Sequence, residues 1–285
     1  MAKCLVTKLN GSVDNNELLR IGEMRIKVES VESPTIGIQG FDVGFTNPTT
    51  VEIVGDGYFT NDNLTENKGK SIVVSDIQRV IVSQTTTVAI RDKYKLLNLN
   101  VYSPGGIPYG KNKVLNIEDL KYSTALTYLN LKESKAYGDI ANLKNLTSLG
   151  SLTLANKKVP LTGDIGQLRT LSNCASISLQ YSKLTGDLAM IPSTCKFVSF
   201  LNDKGSVFTW STRPSTDKII AIEGNARLTN IDKMLQDQAQ CQVGFLSNDE
   251  PWYKTISVAG NRTSASDDSV ATLQQKGYTI SILNS

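Results

Sequence analysis

The chain has no histidine at any of its 285 positions. That single absence removes Ser-His-Asp and Cys-His catalytic arrangements, imidazole metal ligands and the H-E-x-x-H zinc helix. Cysteine is scarce: Cys4, Cys174, Cys195 and Cys241 include no C-x-x-C pair, so all four read as reduced thiols. Long hydrophobic runs are missing too. No window reaches the apolar length of a membrane span, and Met1–Gly11 lacks the apolar core of a secretory signal. Charge is nearly balanced, at a formal net +3. Residues 1–92 hold 9 Lys+Arg against 12 Asp+Glu, and residues 93–285 hold 21 against 15. The basic excess of the second part is spread along the chain, short of the clustered stripe that marks a nucleic-acid binder. The expectation is a chain with no catalytic residue, no cofactor, no resident metal, no nucleic-acid partner and no membrane insertion.

Two motifs imitate chemistry without completing it. Gly105-Gly-Ile-Pro-Tyr-Gly110-Lys111 spells the start of a phosphate loop, but Asn112 stands where a Ser or Thr would hold magnesium. Its Pro and glycines suit a surface turn. Asp139, Asp164 and Asp187 each follow a glycine at repeating intervals. They either hydrogen-bond their own Gly-Asp turns or, stacked, form a carboxylate column able to take calcium; the first reading is preferred.

What is present is a repeat. Leu126-Thr-Tyr-Leu-Asn-Leu131, Leu149-Gly-Ser-Leu-Thr-Leu154 and Cys174-Ala-Ser-Ile-Ser-Leu179 start 23 and 25 residues apart. Each precedes a Gly-Asp-apolar loop: Gly138-Asp-Ile140, Gly163-Asp-Ile165 and Gly186-Asp-Leu188. Periods of this size belong to stacked solenoids. Related strands are expected at Lys95–Val101, Phe197–Phe200, Ile219–Asn225, Thr255–Asn261 and Thr279–Leu283. Alternation turns the Leu positions inward, and no unit can bury that face alone, so neighbours share one core. Cys174 takes a Leu slot and acts as a small buried hydrophobe. Leu143, Leu146, Leu168 and Leu171 should close the far side. Helical spacing at Leu228, Ile231, Met234 and Leu235, and the signals along Ser266–Gly277, predict helices in the later units.

These residues resemble leucine-rich repeats over roughly 93–283, and Leu161-Thr-Gly-Asp-Ile-Gly-Gln-Leu168 is most similar to the plant-type subclass. The resemblance has departures. Its Asn slot holds Ser134, Lys157 and Ser182, returning to Asn at Asn225 and Asn261, and its Pro is missing.

Residues 1–92 read differently. Short alternating segments at Met24–Val28, Val51–Ile53, Ile72–Val74, Val80–Val82 and Val88–Ile90 are separated by Gly, Asn, Asp and Pro clusters. That spacing suggests an antiparallel sandwich or barrel. The expected fold class is therefore mainly β with minor α: an N-terminal antiparallel β-sandwich or barrel over 1–92, then a leucine-rich-repeat-like solenoid over 93–285.

The outward strand positions are the candidate binding surface: Tyr128, Asn130 and Lys132; Ser151, Thr153 and Ala155; Ser176, Ser178 and Gln180; then Ala221, Glu223, Ser257 and Ala259. After the first unit the face is small and hydroxyl-rich. A structural sheet face is the plainer reading, and contact with host-surface glycan is the functional one. Thr279, Ile280, Ile282 and Leu283 form a final strand with no later unit to cover its layer, so self-association as a dimer or trimer is expected there.

The start, Met-Ala-Lys-Cys-Leu-Val-Thr-Lys-Leu-Asn-Gly-Ser-Val13 with Leu19-Arg-Ile-Gly-Glu-Met-Arg-Ile26, resembles virion proteins of crAss-like bacteriophages that infect gut Bacteroides. The resemblance implies a structural protein of the particle, as a head fibre or capsid decoration. Residues 1–92 would anchor it to other virion proteins and the repeats would face outward. It also implies assembly in the host cytoplasm without a signal peptide. The alternatives are a receptor-binding adhesin module and an effector-like repeat protein that binds other proteins.

Overall fold

The structure is a computed structural model; it describes side chains for residues 96–100, 115–132, 136–156, 159–203, 205–245 and 250–283, and elsewhere only the backbone of the strands named here. In chain order, the strands before the repeats are β1 (Leu19–Glu23), β2 (Ile38–Phe45), β3 (Thr49–Val54), β4 (Phe59–Thr60), β5 (Glu66–Asn67), β6 (Ser71–Val74), β7 (Gln78–Ser83) and β8 (Thr87–Ile90). From there two ladders alternate along the sequence. The main ladder consists of β9 (Leu96–Tyr102), β11 (Tyr128–Leu131), β13 (Ser151–Ala155), β15 (Ser176–Gln180), β17 (Phe197–Phe200), β19 (Ala221–Gly224), β21 (Thr255–Ala259) and β22 (Thr279–Leu283). The second consists of β10 (Lys113–Asn116), β12 (Lys135–Tyr137), β14 (Thr162–Asp164), β16 (Lys183–Asp187), β18 (Val207–Thr209) and β20 (Arg227–Leu228). All pairings within both ladders are parallel.

Parallel register stacks like on like. Leu99, Leu129, Leu152, Ile177, Val198, Ile222 and Ile256 form one inward column, and every member is 0 % exposed. Leu143, Leu146, Leu168 and Leu171 close the same core from the far side and are equally buried. They stand on or beside short 3₁₀ turns, Ile140–Leu143 and Ile165–Thr170. In the later units helices replace these turns: α1 (Ile231–Gln240) and α2 (Asp267–Gln275). Ile231, Met234 and Leu235 face inward on α1, whereas Leu228, expected on the same helix, belongs to β20.

The expected fold class needs correction. The architecture is a parallel-strand sheet in a solenoid-like arrangement with few helices, and the described strands of residues 1–92 form no antiparallel sandwich or barrel of their own. Strands β6, β3, β8 and β1 pair antiparallel in that order and join β10; β5, β4, β7 and β2 do the same and join β9. They extend the two ladders edge to edge. Alternation and turn spacing mark a segment as a strand but do not name its hydrogen-bonding partner. The first strand of a parallel ladder offers an open edge of donors and acceptors, and these strands take it. The expected segment Met24–Val28 lies outside the described residues.

A second correction concerns the Gly-Asp loops, which form or border the second ladder: Gly163-Asp164 lies in β14 and Gly186-Asp187 in β16. Three-residue strands such as Thr-Gly-Asp carry no apolar alternation to read. The residues of the Asn slot differ among themselves. Ser182 is buried and donates to the Leu179 carbonyl at 3.0 Å, whereas Asn225 and Asn261 are exposed. Ser134 and Lys157 lie outside the described residues.

Two charged side chains, Arg213 and Asp237, are buried among the described residues. Arg213, 3 % exposed, donates Nη1 to the carbonyls of Ala189 and Ile191, Nη2 to Pro192 and Nε to Lys218. Its planar guanidinium presents its donors in a fixed fork, which meets these carbonyls without rearrangement. Burial lowers its pKa, opposed by the nearby Asp217 carboxylate. Trp210 is pinned beside it, its indole N–H on Asp237 Oδ2 at 2.9 Å.

Candidate functional site

The side of the main ladder turned away from the core presents two rows of side chains at the strand spacing of about 4.8 Å. Asn98, Tyr128, Ser151, Ser176, Phe197 and Ala221 share one register row. Asn130, Thr153, Ser178, Ser199 and Glu223 share the next. The structure thus brings Tyr128, Asn130, Ser151, Thr153, Ser176 and Ser178 together as partly exposed neighbours. Gln180 lies opposite Ala155, and Lys132 stands exposed one residue beyond β11, its N–H on Asn130 Oδ1 at 3.1 Å. Ala155, Ala221 and Ala259, expected on the open face, are buried.

The reason for part of that burial is a segment whose path is not readable from the repeat. Between α1 and β21, Gly244 and Phe245 pack against Tyr278, and residues 251–254 pack over this face. Gly244 N–H donates to the Tyr278 hydroxyl at 3.0 Å, and Phe245 packs edge-on against the Tyr278 ring at 5.0 Å. The 3₁₀ turn Pro251–Lys254 then packs on β19, with the Tyr253 ring 4.9 Å from that of Phe197. Phe197, an outward residue by register, is consequently only 6 % exposed. Lys196 Nζ sits 5.4 Å from the Tyr253 ring and Lys254 Nζ 5.1 Å from that of Phe245, both within cation–π range. Trp252, on the same turn, stays 44 % exposed. In the adjoining row Ser199 Oγ donates to Glu223 Oε2 at 2.9 Å. The signal for this shelf is the cluster Pro251-Trp-Tyr253 in the longest gap between strand repeats.

The acidic column resolves into turn caps. Asp139, Asp164 and Asp187 each accept, through Oδ1, the backbone N–H two residues on, at 2.8, 2.8 and 3.0 Å. Asn116 does the same for Glu118 at 3.0 Å. Among the described residues no group of three or more His, Cys, Asp or Glu side chains is placed to hold a metal ion. Asp232 caps across units: Ser266 and Thr263 donate to its carboxylate and hold its pKa below the usual range. Cys174, Cys195 and Cys241 are free and buried, and burial pushes the first two thiols up to about 12. Cys4 and the Gly105–Asn112 loop lie outside the described residues. No helix among the described residues is long and apolar enough to cross a membrane. No protein-family model, curated protein or solved structure matches the chain.

Proposed function

We propose that the chain is a non-enzymatic structural protein of a bacteriophage particle, a head fibre or capsid decoration component. In this reading residues 1–92 attach it to other virion proteins, and the repeats, similar to leucine-rich repeats, face outward. Copies associate through Thr279, Ile280, Ile282 and Leu283. The observation that carries the reading is the two-row outer face. Over β11, β13 and β15 it is an array of mostly small, partly exposed polar side chains held over one continuous core, a form suited to presentation and contact. The resemblance of the first thirty residues to crAss-like virion proteins supplies the setting, which is assembly in the host cytoplasm followed by incorporation into the particle.

Mass spectrometry of gradient-purified particles, paired with an electron-microscopy reconstruction, tests the proposal. The expected outcome is the chain at a stoichiometry matching a symmetric site on the head. Its absence from purified particles would overturn the reading.

A further inference from the structure

We propose that the outer face of β17 and β19 holds a saccharide-binding subsite, with the Trp252 indole as its stacking platform and the Glu223 carboxylate as its hydroxyl acceptor. The inference rests on the outward-facing reading above and names the class of ligand that the face takes.

The chain has two tryptophans, in opposite settings. Trp210 is 1 % exposed and has its N–H satisfied by Asp237, as a structural indole should. Trp252 is 44 % exposed, yet the turn beneath it is firmly built. Pro251 opens that turn, Tyr253 N–H donates to the Glu250 carbonyl at 3.0 Å, and Thr255 Oγ1 donates to the Pro251 carbonyl at 3.1 Å. The Tyr253 ring rests on Phe197. A large aromatic surface left in water on a pre-organised support loses little entropy when a ligand covers it.

Its surroundings select the ligand. Phe197 and Ser199 lie on one strand, Ala221 and Glu223 on its neighbour, and Ser199 and Glu223 are opposite each other in register. The polar pair is therefore about 7 Å along the strands from Phe197, on which the Tyr253 ring rests. Ser199 is itself 2 % exposed and fixes one carboxylate oxygen of Glu223, which presents the other to its surroundings as an acceptor. Ser176 and Ser178 continue the hydroxyl-lined floor on β15. Lys196 borders the shelf, its ammonium 5.4 Å from the Tyr253 ring. A flat apolar wall beside an acceptor and donors at this spacing matches a pyranose ring, which has an apolar C–H face and hydroxyls around its edge. A phosphate backbone would meet the Glu223 carboxylate as a like charge. A protein partner would find one aromatic anchor among small hydroxyls, short of the packed cluster that dominates such interfaces.

The test is isothermal titration of the full chain with neutral oligosaccharides of glucose, galactose, mannose and N-acetylglucosamine, followed by tryptophan fluorescence. The expected result is that at least one oligosaccharide binds and shifts the emission. Trp252→Ala then loses roughly tenfold or more in affinity with its melting temperature unchanged, Trp252→Phe loses less, and Glu223→Gln weakens binding several-fold. A panel that gives no heat and no emission change, or wild-type affinity in Trp252→Ala, overturns the subsite. The two readings fail separately. A chain present in purified particles that ignores every sugar sinks the subsite alone, and a sugar-binding chain absent from particles sinks the virion reading alone.

Discussion

The carboxylate of Asp164 lies against the α-carbon of Gly186, one unit further along the solenoid, so that a β-carbon at Gly186 would overlap Asp164 Oδ1. The same oxygen accepts the Gly166 N–H at 2.8 Å. Asp139 stands over Gly163 in the same way, and Asn116 over Gly138. Each cap thus occupies the space that the next unit leaves by using glycine, which is why Gly and Asp repeat as a pair. Gly186 also sits at φ +105, where an L side chain is strained.

Gly205 separates these two causes, because it has φ +114 but nothing within 4 Å of a built β-carbon. Gly205→Ala should cost only the backbone strain, about 1–3 kcal/mol. Gly186→Ala should cost a further 1–3 kcal/mol or so from overlap. Adding Asp164→Ala should return much of that second part, giving a coupled pair in urea unfolding. Strict additivity of Asp164→Ala and Gly186→Ala would mean that the cap and the glycine do not act together.

Adjacent residues of β13 provide a test of register. Leu152 is 0 % exposed in the inward column, and Thr153 is partly exposed in the outer row. Leu152→Ala should cost about 2–5 kcal/mol, while Thr153→Ala should change stability by less than about 0.5 kcal/mol. Equal losses from the two in chemical denaturation would show the strand to be turned differently.

This contrast also marks how far the fold was legible in the sequence. Wherever Leu-x-Leu alternates, as at Leu129 and Leu131 or Leu152 and Leu154, period two identified both the strand and its buried face. Partner choice left no such trace. Nothing in Ile38–Phe45 states that it pairs with Leu96–Tyr102, so an independent sandwich was expected where the strands join the ladders. The second ladder escaped for a related reason, since Thr162-Gly-Asp164 has no apolar rhythm. In the candidate site, the rows through Tyr128, Ser151 and Ser176 follow from register alone. The shelf that buries Phe197 depends on a long-range fold-back, and local pattern carries no information about where Tyr253 will land.

Alkaline pH should destabilise the chain. Burial pushes the thiols of Cys174 and Cys195 from an ordinary value of 9.0 up to about 12, and the Tyr278 hydroxyl from 10.0 to about 12. Between those values the unfolded chain has released protons that the folded chain still holds. Stability therefore stays level up to about pH 9 and falls as pH rises towards 12. Melting temperatures measured from pH 7 to 11 should show the decline, and replacing both Cys174 and Cys195 by Ala should make it shallower. An unchanged slope in that double variant would mean that the thiols are not responsible.

The final strand should mediate self-association. Ile280 and Ile282 are only partly buried, whereas their register partners on β21, Ile256 and Val258, are 0 % and 1 % exposed. Leu283 is 40 % exposed, and among the described residues no strand pairs with the outer edge of β22. The strand carries neither Pro nor charge, the usual guards against edge pairing. Its pattern, Thr-Ile-Ser-Ile-Leu, is self-complementary. An antiparallel two-fold through Ser281 places Ile280 opposite Ile282 of the partner subunit and on the same face, so each copy covers the other's open layer. Closed two-fold contacts of this kind are the commonest in homo-oligomers. Light scattering of the isolated chain should therefore report a dimer, and Ile282→Lys should convert it to a monomer by placing an ammonium group in the shared layer. A trimer would replace the two-fold with a different contact. A monomer for both wild type and variant, with equal stability, would remove β22 as the interface.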